Sequence, residues 1–166
     1  MKHTRILILI VVLFLSSFSD AEMIDRIVAY VGDEAITSSE LMAEHETHKG
    51  RGITLEQTLN GIINRRLLLV EARRLRLGDM GDDTLINEYI NQRIRTFIVI
   101  SEEQITRYYK NNRKKFRRAP LNQVRGNIVI FLTEAEVNVR LEHHLDTLRK
   151  GAEIGIFLNN GSEGKQ

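Results

Sequence analysis

Histidine is the residue type in this sequence that most often holds a metal ion or exchanges protons near neutral pH. His45 and His48 lie three residues apart, with a glutamate and a threonine between them. A zincin-type zinc site needs its two histidines four residues apart on a helix, with a glutamate base between them. His143 and His144 are adjacent, and neighbouring positions of a helix point in different directions. The spacing therefore predicts no metal site.

Nucleophilic and phosphate-binding motifs are absent from the sequence as well. The chain has no cysteine, which excludes a disulfide, a thiolate metal site and a cysteine nucleophile. Neither a Gly-x-Ser-x-Gly elbow nor a Gly-x-x-x-x-Gly-Lys phosphate loop occurs. Hydrolase and nucleoside-triphosphatase chemistry therefore lack support, and we expect no catalytic residue and no cofactor.

A basic run occupies residues 113–118, close to Tyr108 and Tyr109. Cations beside aromatic rings can bind phosphate backbones and stack on bases. A charged stretch just before the only proline, Pro120, is instead typical of a solvated linker between domains. We interpret the run as such a boundary and expect no nucleic-acid partner, with anionic lipid or an acidic client as the other charge partners.

The first 21 residues have the three parts of a secretory signal. Lys2 and Arg5 precede an apolar run at residues 6–15, and small polar residues follow it. The run is shorter than the ~20 residues that a membrane-spanning helix needs. We therefore expect a cleaved signal at residues 1–21, export to the periplasm and no stable membrane anchor.

The cleavage site follows from the small residues at the end of this segment. Ser19 and Ala21 give a small-x-small pattern, which predicts cleavage before Glu22, with cleavage after Ser19 as the alternative. About 145 residues would then remain, the size of one ordinary domain. The chain is 42% hydrophobic and 28% charged but only 6% aromatic, with no tryptophan. This composition predicts a folded domain with an aliphatic core.

Turn and capping residues mark the elements of the mature chain. An Ile- and Val-rich stretch at residues 24–31, followed by a Gly-Asp-Glu turn, predicts a small β-hairpin. Helix starts are predicted where Ser or Thr is followed three residues later by Glu or Gln. These capping boxes are Thr37 with Glu40, Thr54 with Gln57, Ser101 with Gln104 and Thr133 with Glu136. A further helix is predicted to begin near Asp82 or Asp83, after Gly78 ends the preceding one.

Apolar residues recur at helical spacing in the two central helices. The first carries Leu55, Leu59, Ile62, Ile63, Leu67 and Val70, and the second carries Ile86, Ile90, Ile94, Phe97 and Ile98. The run at residues 67–70 is apolar on nearly every side, which predicts a central helix covered by neighbours. Beyond Pro120, residues 124–132 read as a strand and residues 134–150 as a helix. The tail at 159–166 has nothing to bury and is expected to be frayed.

The opening of the mature chain resembles the SurA and PrsA-like periplasmic chaperone family. The segment at residues 23–41, MIDRIVAYVGDEAITSSEL, fits the pattern D-R-I-V-A-x-V-(G/N)-D-E-x-I-T-x-x-E-L. The agreement continues through LNGIINRRLLLVEA at 59–72, and through SEEQI and YYKNN between 101 and 112. The resemblance implies a mainly α fold, in which a helical domain of the SurA amino-terminal type binds unfolded outer-membrane or secreted proteins.

The same family often continues into a parvulin-type isomerase domain. Residues 124–130 resemble its first strand, and residues 148–153 resemble the end of its first helix. Asn127 stands where parvulins commonly place a histidine, and the chain ends before the second one. The expected organisation is therefore a signal peptide at 1–21, a chaperone-type domain at 22–118, a truncated α+β parvulin-like remnant at 119–158 and a tail at 159–166. A natural short form, a degenerate paralogue and a truncated reading frame are all consistent with this.

The expected function is that of a periplasmic holdase without isomerase chemistry of its own, because a helical domain without a catalytic constellation suits the binding of unfolded chains. We also expect the family's returning carboxy-terminal helix to be missing, which would leave apolar helix faces for a client or for a homodimer formed by helix exchange. The predicted peptide-binding residues are Leu59, Ile63, Leu67, Ile90, Ile94 and Phe97. The alternative is a parvulin-type peptidyl-prolyl isomerase that acts with a partner chain, and a third class is a structural envelope protein.

Overall fold

The computed structural model describes residues 25–158, and the hairpin predicted from the sequence lies at their beginning. Strand β1 covers Ile27–Val31 and strand β2 covers Glu34–Thr37, paired antiparallel. Gly32 has φ of 56° in the turn between them, a conformation that glycine adopts without steric cost. The predicted signal peptide and the predicted tail lie outside the described residues.

Five α-helices and a third strand follow the hairpin in the described part of the chain. The helices are α1 Ser38–Thr47, α2 Leu55–Arg74, α3 Asp82–Arg93, α4 Glu102–Asn111 and α5 Leu121–Gly151, with a short 3-10 turn at Arg95–Phe97 between α3 and α4. Strand β3, Ile154–Ile156, pairs antiparallel with β1, so that the sheet order is β2-β1-β3. The mainly helical fold with an amino-terminal hairpin is confirmed.

Three of the four predicted capping boxes mark real helix starts. Thr54 and Ser101 accept hydrogen bonds from the backbone of Gln57 and Gln104, whose side chains bond back to the capping residues. At α1 the Thr37 hydroxyl accepts from the backbone nitrogen of the third helical residue. These caps satisfy amide groups that the first turn of a helix leaves without partners.

The last part of α2 and the start of α3 follow the prediction with one difference. Helix α3 begins at Asp82, as predicted, with Gly81 as its cap. Gly78 is left-handed, with φ of 107°. Helix α2 ends earlier than Gly78, at Arg74, and Arg76 already has φ of 49°. The chain therefore leaves the helix through an arginine before it reaches the glycine.

The predicted strand at residues 124–132 is wrong, because these residues belong to α5. The predicted helix start at Thr133 is wrong for the same reason, since Thr133 lies in the interior of this helix. The β-branched residues of the segment favour a strand by propensity, a preference that tertiary packing often overrides. Here Ile128 is 1% exposed on α5, in the half of the helix that packs against α4. The α+β remnant is therefore replaced by one long helix and strand β3.

The predicted boundary near residue 118 does not separate two cores. One buried cluster lies between the hairpin, α1 and α2, and Leu148, Ala152 and Ile154 from the end of the chain pack against it. A second cluster lies between α2 and α3, with Leu141, Leu145 and Leu148 of α5 against it. Since α2 contributes to both clusters, it is the covered central helix that residues 67–70 predict.

No helix within residues 25–158 combines the length and the apolar character needed to cross a membrane.

Candidate peptide-binding surface

The six residues predicted to bind peptide do not form one exposed surface. Leu59, Ile63, Leu67 and Ile94 are buried, each at most 5% exposed, and Ile90 is half-buried. Only Phe97 is open to solvent, at 66% exposure. The structure brings Leu59, Ile63 and Leu67 together in the cluster beneath the hairpin. Helical spacing identified these positions as apolar but did not distinguish core from surface.

The hairpin and α1 cover Leu59, Ile63 and Leu67, and α5 covers another face of α2 together with α3. The expectation that no helix returns to these faces is wrong, because Leu141, Leu145 and Leu148 pack against the second cluster. Arg149 adds polar contacts to α2: its Nε donates to Asn64 Oδ1 at 2.8 Å, and its Nη2 donates to Asn60 Oδ1 at 3.1 Å. The apolar stripe of α5 was visible in the sequence. Because the sequence analysis assigned this stripe to a separate domain, it did not predict that the stripe packs against α2 and α3.

A different set of apolar side chains remains exposed. Phe97 and Val99, on the connection from α3 to α4, are 66% and 87% exposed, and Ile130 and Phe131 of α5 are 62% and 53% exposed. We name these four residues the α5 apolar surface. Exposed large apolar side chains near one another are typical of a binding site for another polypeptide.

Two polar contacts hold the α3–α4 connection against α5. The guanidinium of Arg95 binds the carboxylate of Glu134 in a bidentate pair, with 3.0 Å between Nη2 and Oε2. This pairing raises the pKa of Arg95 and lowers the pKa of Glu134. Arg140 Nη1 donates to the backbone oxygen of Phe97 at 3.2 Å. Phe97 therefore lies close to the middle of α5, and α5 also carries Ile130 and Phe131.

Helix α4 fixes the other side of the surface. The ring of Tyr108 lies 5.0 Å from that of Phe131, measured between ring centroids. Arg125 of α5 pairs with Glu102 of α4, which lowers the pKa of Glu102. Ile105 of α4 is fully buried. The amino-terminal half of α5 is thus held by α4, whereas its carboxy-terminal half is held by α2 and α3.

Ile130 lies on the face of α5 that packs against the core further along the helix. It lies seven residues before Val137, which places the two on the same face of the helix. Val137 is 4% exposed, whereas Ile130 is 62% exposed. The same apolar stripe is therefore covered at one end and open at the other.

The residues that carry the family resemblance have structural roles. Asp25 Oδ1 accepts a hydrogen bond of 3.0 Å from the Ser39 backbone, and hydrogen bonds from Ser39 and Thr37 lower the pKa of Asp25. Arg66 of α2 binds Glu34 Oε2 at 2.5 Å and Glu40 Oε1 at 2.8 Å. The first resembling segment is therefore joined to the second by a two-carboxylate ion pair that fixes the hairpin and α1 on α2.

The four histidines that the sequence singled out do not meet. His45 Nδ1 lies 2.9 Å from Thr58 Oγ1, and His48 Nε2 lies 3.4 Å from Glu44. His143 is exposed, whereas His144 contacts Tyr89. Within residues 25–158, no group of three or more histidine, cysteine, aspartate or glutamate side chains is placed to hold a metal ion.

Residues of α2 line several clefts. The cleft between α1 and α2, about 530 Å³, is lined by charges of both signs, including Glu44, Arg65 and Asp83. The cleft between the hairpin, α2 and the end of α5, about 440 Å³, is lined by Leu67 and Leu148 among others. Its lining combines apolar side chains with charged ones, among them Glu71, Arg74 and Glu153.

Comparisons of the chain with protein-family models, with curated proteins and with solved structures gave no match. The described residues define a mainly helical protein with a small three-stranded antiparallel sheet.

Proposed function

We propose that this protein is an exported chaperone of the SurA amino-terminal type, a holdase that binds unfolded outer-membrane or secreted proteins without isomerase chemistry of its own. The observation that carries the proposal is the exposure of Phe97, Val99, Ile130 and Phe131 on the α5 apolar surface. Unfolded chains differ from folded ones chiefly in exposed apolar side chains. A holdase therefore needs apolar surface of its own.

The energetics suit weak, reversible binding. Burying one large apolar side chain contributes about 1.5–3 kcal/mol, and the ordering of a flexible client offsets part of that gain. Four such side chains are enough for transient capture of apolar segments. Phe97, Phe131 and the neighbouring Tyr108 also offer rings to aromatic side chains of a client, and aromatic pairs contribute about 0.5–1.5 kcal/mol beyond their area.

The four residues of the α5 apolar surface come from two different elements of the fold. Phe97 and Val99 belong to the connection between α3 and α4, whereas Ile130 and Phe131 belong to the half of α5 that α4 holds. Connections between helices move more easily than the helices themselves. Such a surface can adapt to many different client segments, which supports a general holdase rather than a receptor for one sequence.

The isomerase alternative loses the strand on which it depended, because residues 124–132 are helical. The proposal assigns no catalytic residue, metal or cofactor to the site. The proposed location is the periplasm. The segment that would direct export lies outside the described residues, and the intact mass of protein recovered from the cell envelope tests it. A chain that begins at Glu22 or Asp20 supports export, and a membrane-embedded chain that begins at Met1 contradicts it.

Self-association belongs to the same proposal. Helix α5 contacts α4 at one half and α2 with α3 at the other, and a nine-residue connection, 112–120, joins α4 to it. Opening this connection would let α5 pack on α2 and α3 of a second copy, which is an economical route to a dimer. Sedimentation velocity over a range of concentrations tests this, and a strictly monomeric chain contradicts it.

The proposed function is tested by light scattering of an unfolded outer-membrane protein diluted from denaturant, with and without the chain. We expect the chain to suppress aggregation and the double variant Phe97→Ser, Ile130→Ser to lose most of this effect. The matched control is Met42→Ser, Met80→Ser, which removes two exposed apolar side chains elsewhere. Unchanged client aggregation with the original chain, or equal losses in the two double variants, would contradict the proposal.

A further inference from the structure

The charge of this chain is divided very unevenly along the sequence. Residues 104–133 contain eight lysine or arginine residues and no aspartate or glutamate. The other 136 residues contain 16 basic and 22 acidic side chains, a formal charge of −6. The small net charge of +2 therefore hides a strongly basic segment attached to an acidic remainder. A separation of this kind orients a molecule in an external electric field.

Six of these cations meet where α4 turns into α5. We name them the basic turn: they are Lys110, Arg113, Lys114, Lys115, Arg117 and Arg118. All six are exposed, and none forms an ion pair with any residue between 25 and 158. The two other cations of the segment differ, because Arg107 pairs with Glu103 and Arg125 pairs with Glu102.

The backbone of the basic turn has a defined shape. Lys115 donates its backbone N–H to the oxygen of Asn112 at 2.8 Å, and the Tyr109 hydroxyl donates to the oxygen of Ala119 at 2.8 Å. Arg117 and Arg118 both have positive φ, 49° and 64°. Left-handed backbone favours glycine or asparagine and is uncommon for arginine. Two cations thus occupy backbone positions that favour glycine or asparagine.

Aromatic rings lie directly under the basic turn, and they stack on each other. Tyr109 and Phe116 stack with centroids 5.9 Å apart, and Tyr108 lies 6.3 Å from Phe116 and 5.0 Å from Phe131. Because the rings pack against one another, they are poor platforms for the unstacked bases of a single-stranded nucleic acid. Tyrosine and phenylalanine beside lysine and arginine are instead typical of segments that rest in the headgroup region of a bilayer.

We propose that the basic turn binds the surface of a bilayer that contains anionic lipids. Groups of four to eight cations are the usual size of such electrostatic sites. The acidic remainder of the chain favours a flat anionic surface over a flexible polyanion, because a flat surface meets only the basic turn, whereas a flexible polyanion that wraps the protein also meets the acidic part. The proposal is independent of the chaperone function and would place a client-binding surface next to a membrane.

The test uses the full chain and co-sedimentation with vesicles of phosphatidylethanolamine and phosphatidylglycerol, beside vesicles of phosphatidylcholine alone. The informative variant is Arg117→Gly, Arg118→Gly, since glycine accepts the positive φ at both positions and the turn keeps its shape. The matched control is Arg51→Gln, Arg76→Gly, which removes the same charge from exposed positions elsewhere, one of them also at positive φ.

We expect the original chain and the control to bind the anionic vesicles, and the Arg117, Arg118 variant to bind them about 30-fold more weakly, at about fivefold per cation. Binding should also weaken strongly as the salt concentration rises from about 0.1 M to about 1 M. Any contribution of the apolar run at 6–15 is common to all variants and appears with the neutral vesicles. Equal binding by the two double variants would overturn the proposal.

Two further arms use a single-stranded oligonucleotide and polyglutamate of matched charge at the same ionic strength. We expect both to bind more weakly than the anionic vesicles. If either polyanion binds the original chain more tightly than the vesicles do and loses that binding in the Arg117, Arg118 variant, the basic turn is a site for that polyanion and the membrane proposal is wrong.

Discussion

Tyr89 of α3 and His144 of α5 share a hydrogen bond of 2.6 Å between the tyrosine hydroxyl and Nε2 of the imidazole. Tyr89 is 2% exposed, and its ring lies 5.7 Å from that of His144. Burial lowers the pKa of His144, the nearby Arg93 lowers it further and Glu71 raises it. Burial also raises the pKa of Tyr89. The histidine tautomer decides which of the two groups donates in this bond.

This contact predicts that the fold loses stability in mild acid. A histidine whose pKa is lower in the folded state is neutral there, whereas the unfolded chain takes up the proton near pH 6.5. Its contribution is complete above about pH 6.5 and falls as the pH drops through the folded-state pKa. We expect a lower urea midpoint at pH 5.5 than at pH 7.5, measured by circular dichroism.

The substitution His144→Gln keeps a hydrogen-bonding partner for the tyrosine but removes the titration. We expect it to cost about 1 kcal/mol or less at pH 7.5 and to flatten the change of midpoint between pH 7.5 and 5.5. His143→Gln, at an exposed neighbouring position, should keep the pH dependence of the original chain. If the His144 and His143 variants respond to pH alike, the loss in acid has another origin.

Arg66 predicts a difference between two adjacent arginines of α2. Arg66 is 27% exposed at its side chain and binds Glu34 and Glu40, whereas Arg65 is 46% exposed and binds the exposed Asp83. We expect Arg66→Gln to lower the free energy of unfolding by about 1–2 kcal/mol, since it leaves Glu40 without its cation and Glu34 with only the 3.5 Å contact to Arg73. Arg65→Gln should cost less than about 0.5 kcal/mol. Equal effects in urea denaturation would refute this ranking.

Ile63 and Phe97 were both predicted peptide-binding residues, and the structure separates them. Ile63 is 0% exposed and Phe97 is 66% exposed. Ile63→Ala is expected to cost about 2–5 kcal/mol of stability through the cavity it leaves. Phe97→Ala should stay within about 0.5 kcal/mol of the original chain while weakening client capture. A strongly destabilised Phe97 variant would show that this ring is part of the core.

Gly155 of β3 lies against the ring of Tyr30 on β1. A methyl group placed at this glycine would come within 2.1 Å of the tyrosine ring. Gly155→Ala is therefore expected to push the ring aside and cost about 1–3 kcal/mol. The same substitution in a Tyr30→Ala background should cost clearly less, and thermal unfolding of the four chains measures the difference. Additive costs would contradict the contact.

The absence of isomerase activity is a prediction of its own. In a refolding assay limited by prolyl isomerisation, the uncatalysed step takes about 10 to 100 s at 25 °C, so that catalysis is easy to detect. We expect the purified chain to leave this rate unchanged, because residues 124–132 form part of α5 rather than a strand of a catalytic sheet. Acceleration that survives stringent purification and scales with the chain would refute this.

Local signals in the sequence determined much of the fold. The glycine turn defined the hairpin, and the Thr54 and Ser101 capping boxes located two helix starts, because these features depend on residues a few positions apart. The helical spacing of apolar residues in α2 identified a central helix. Local signals gave the wrong element at residues 124–132. The β-branched residues there favour a strand, but contacts with α4 and the core stabilise a helix instead.

The location of the candidate surface was decided only by tertiary structure. Leu59, Ile63 and Leu67 look as suitable for binding as Phe97 by spacing alone, and it is the packing of the hairpin and α1 on α2, with Leu148 of α5 beside them, that buries the first three. Strand β3 has three residues, and only its pairing with β1 makes it a strand. Contacts between residues that lie far apart in the chain leave no periodic trace in a sequence. Which apolar residues stay exposed depends on those contacts.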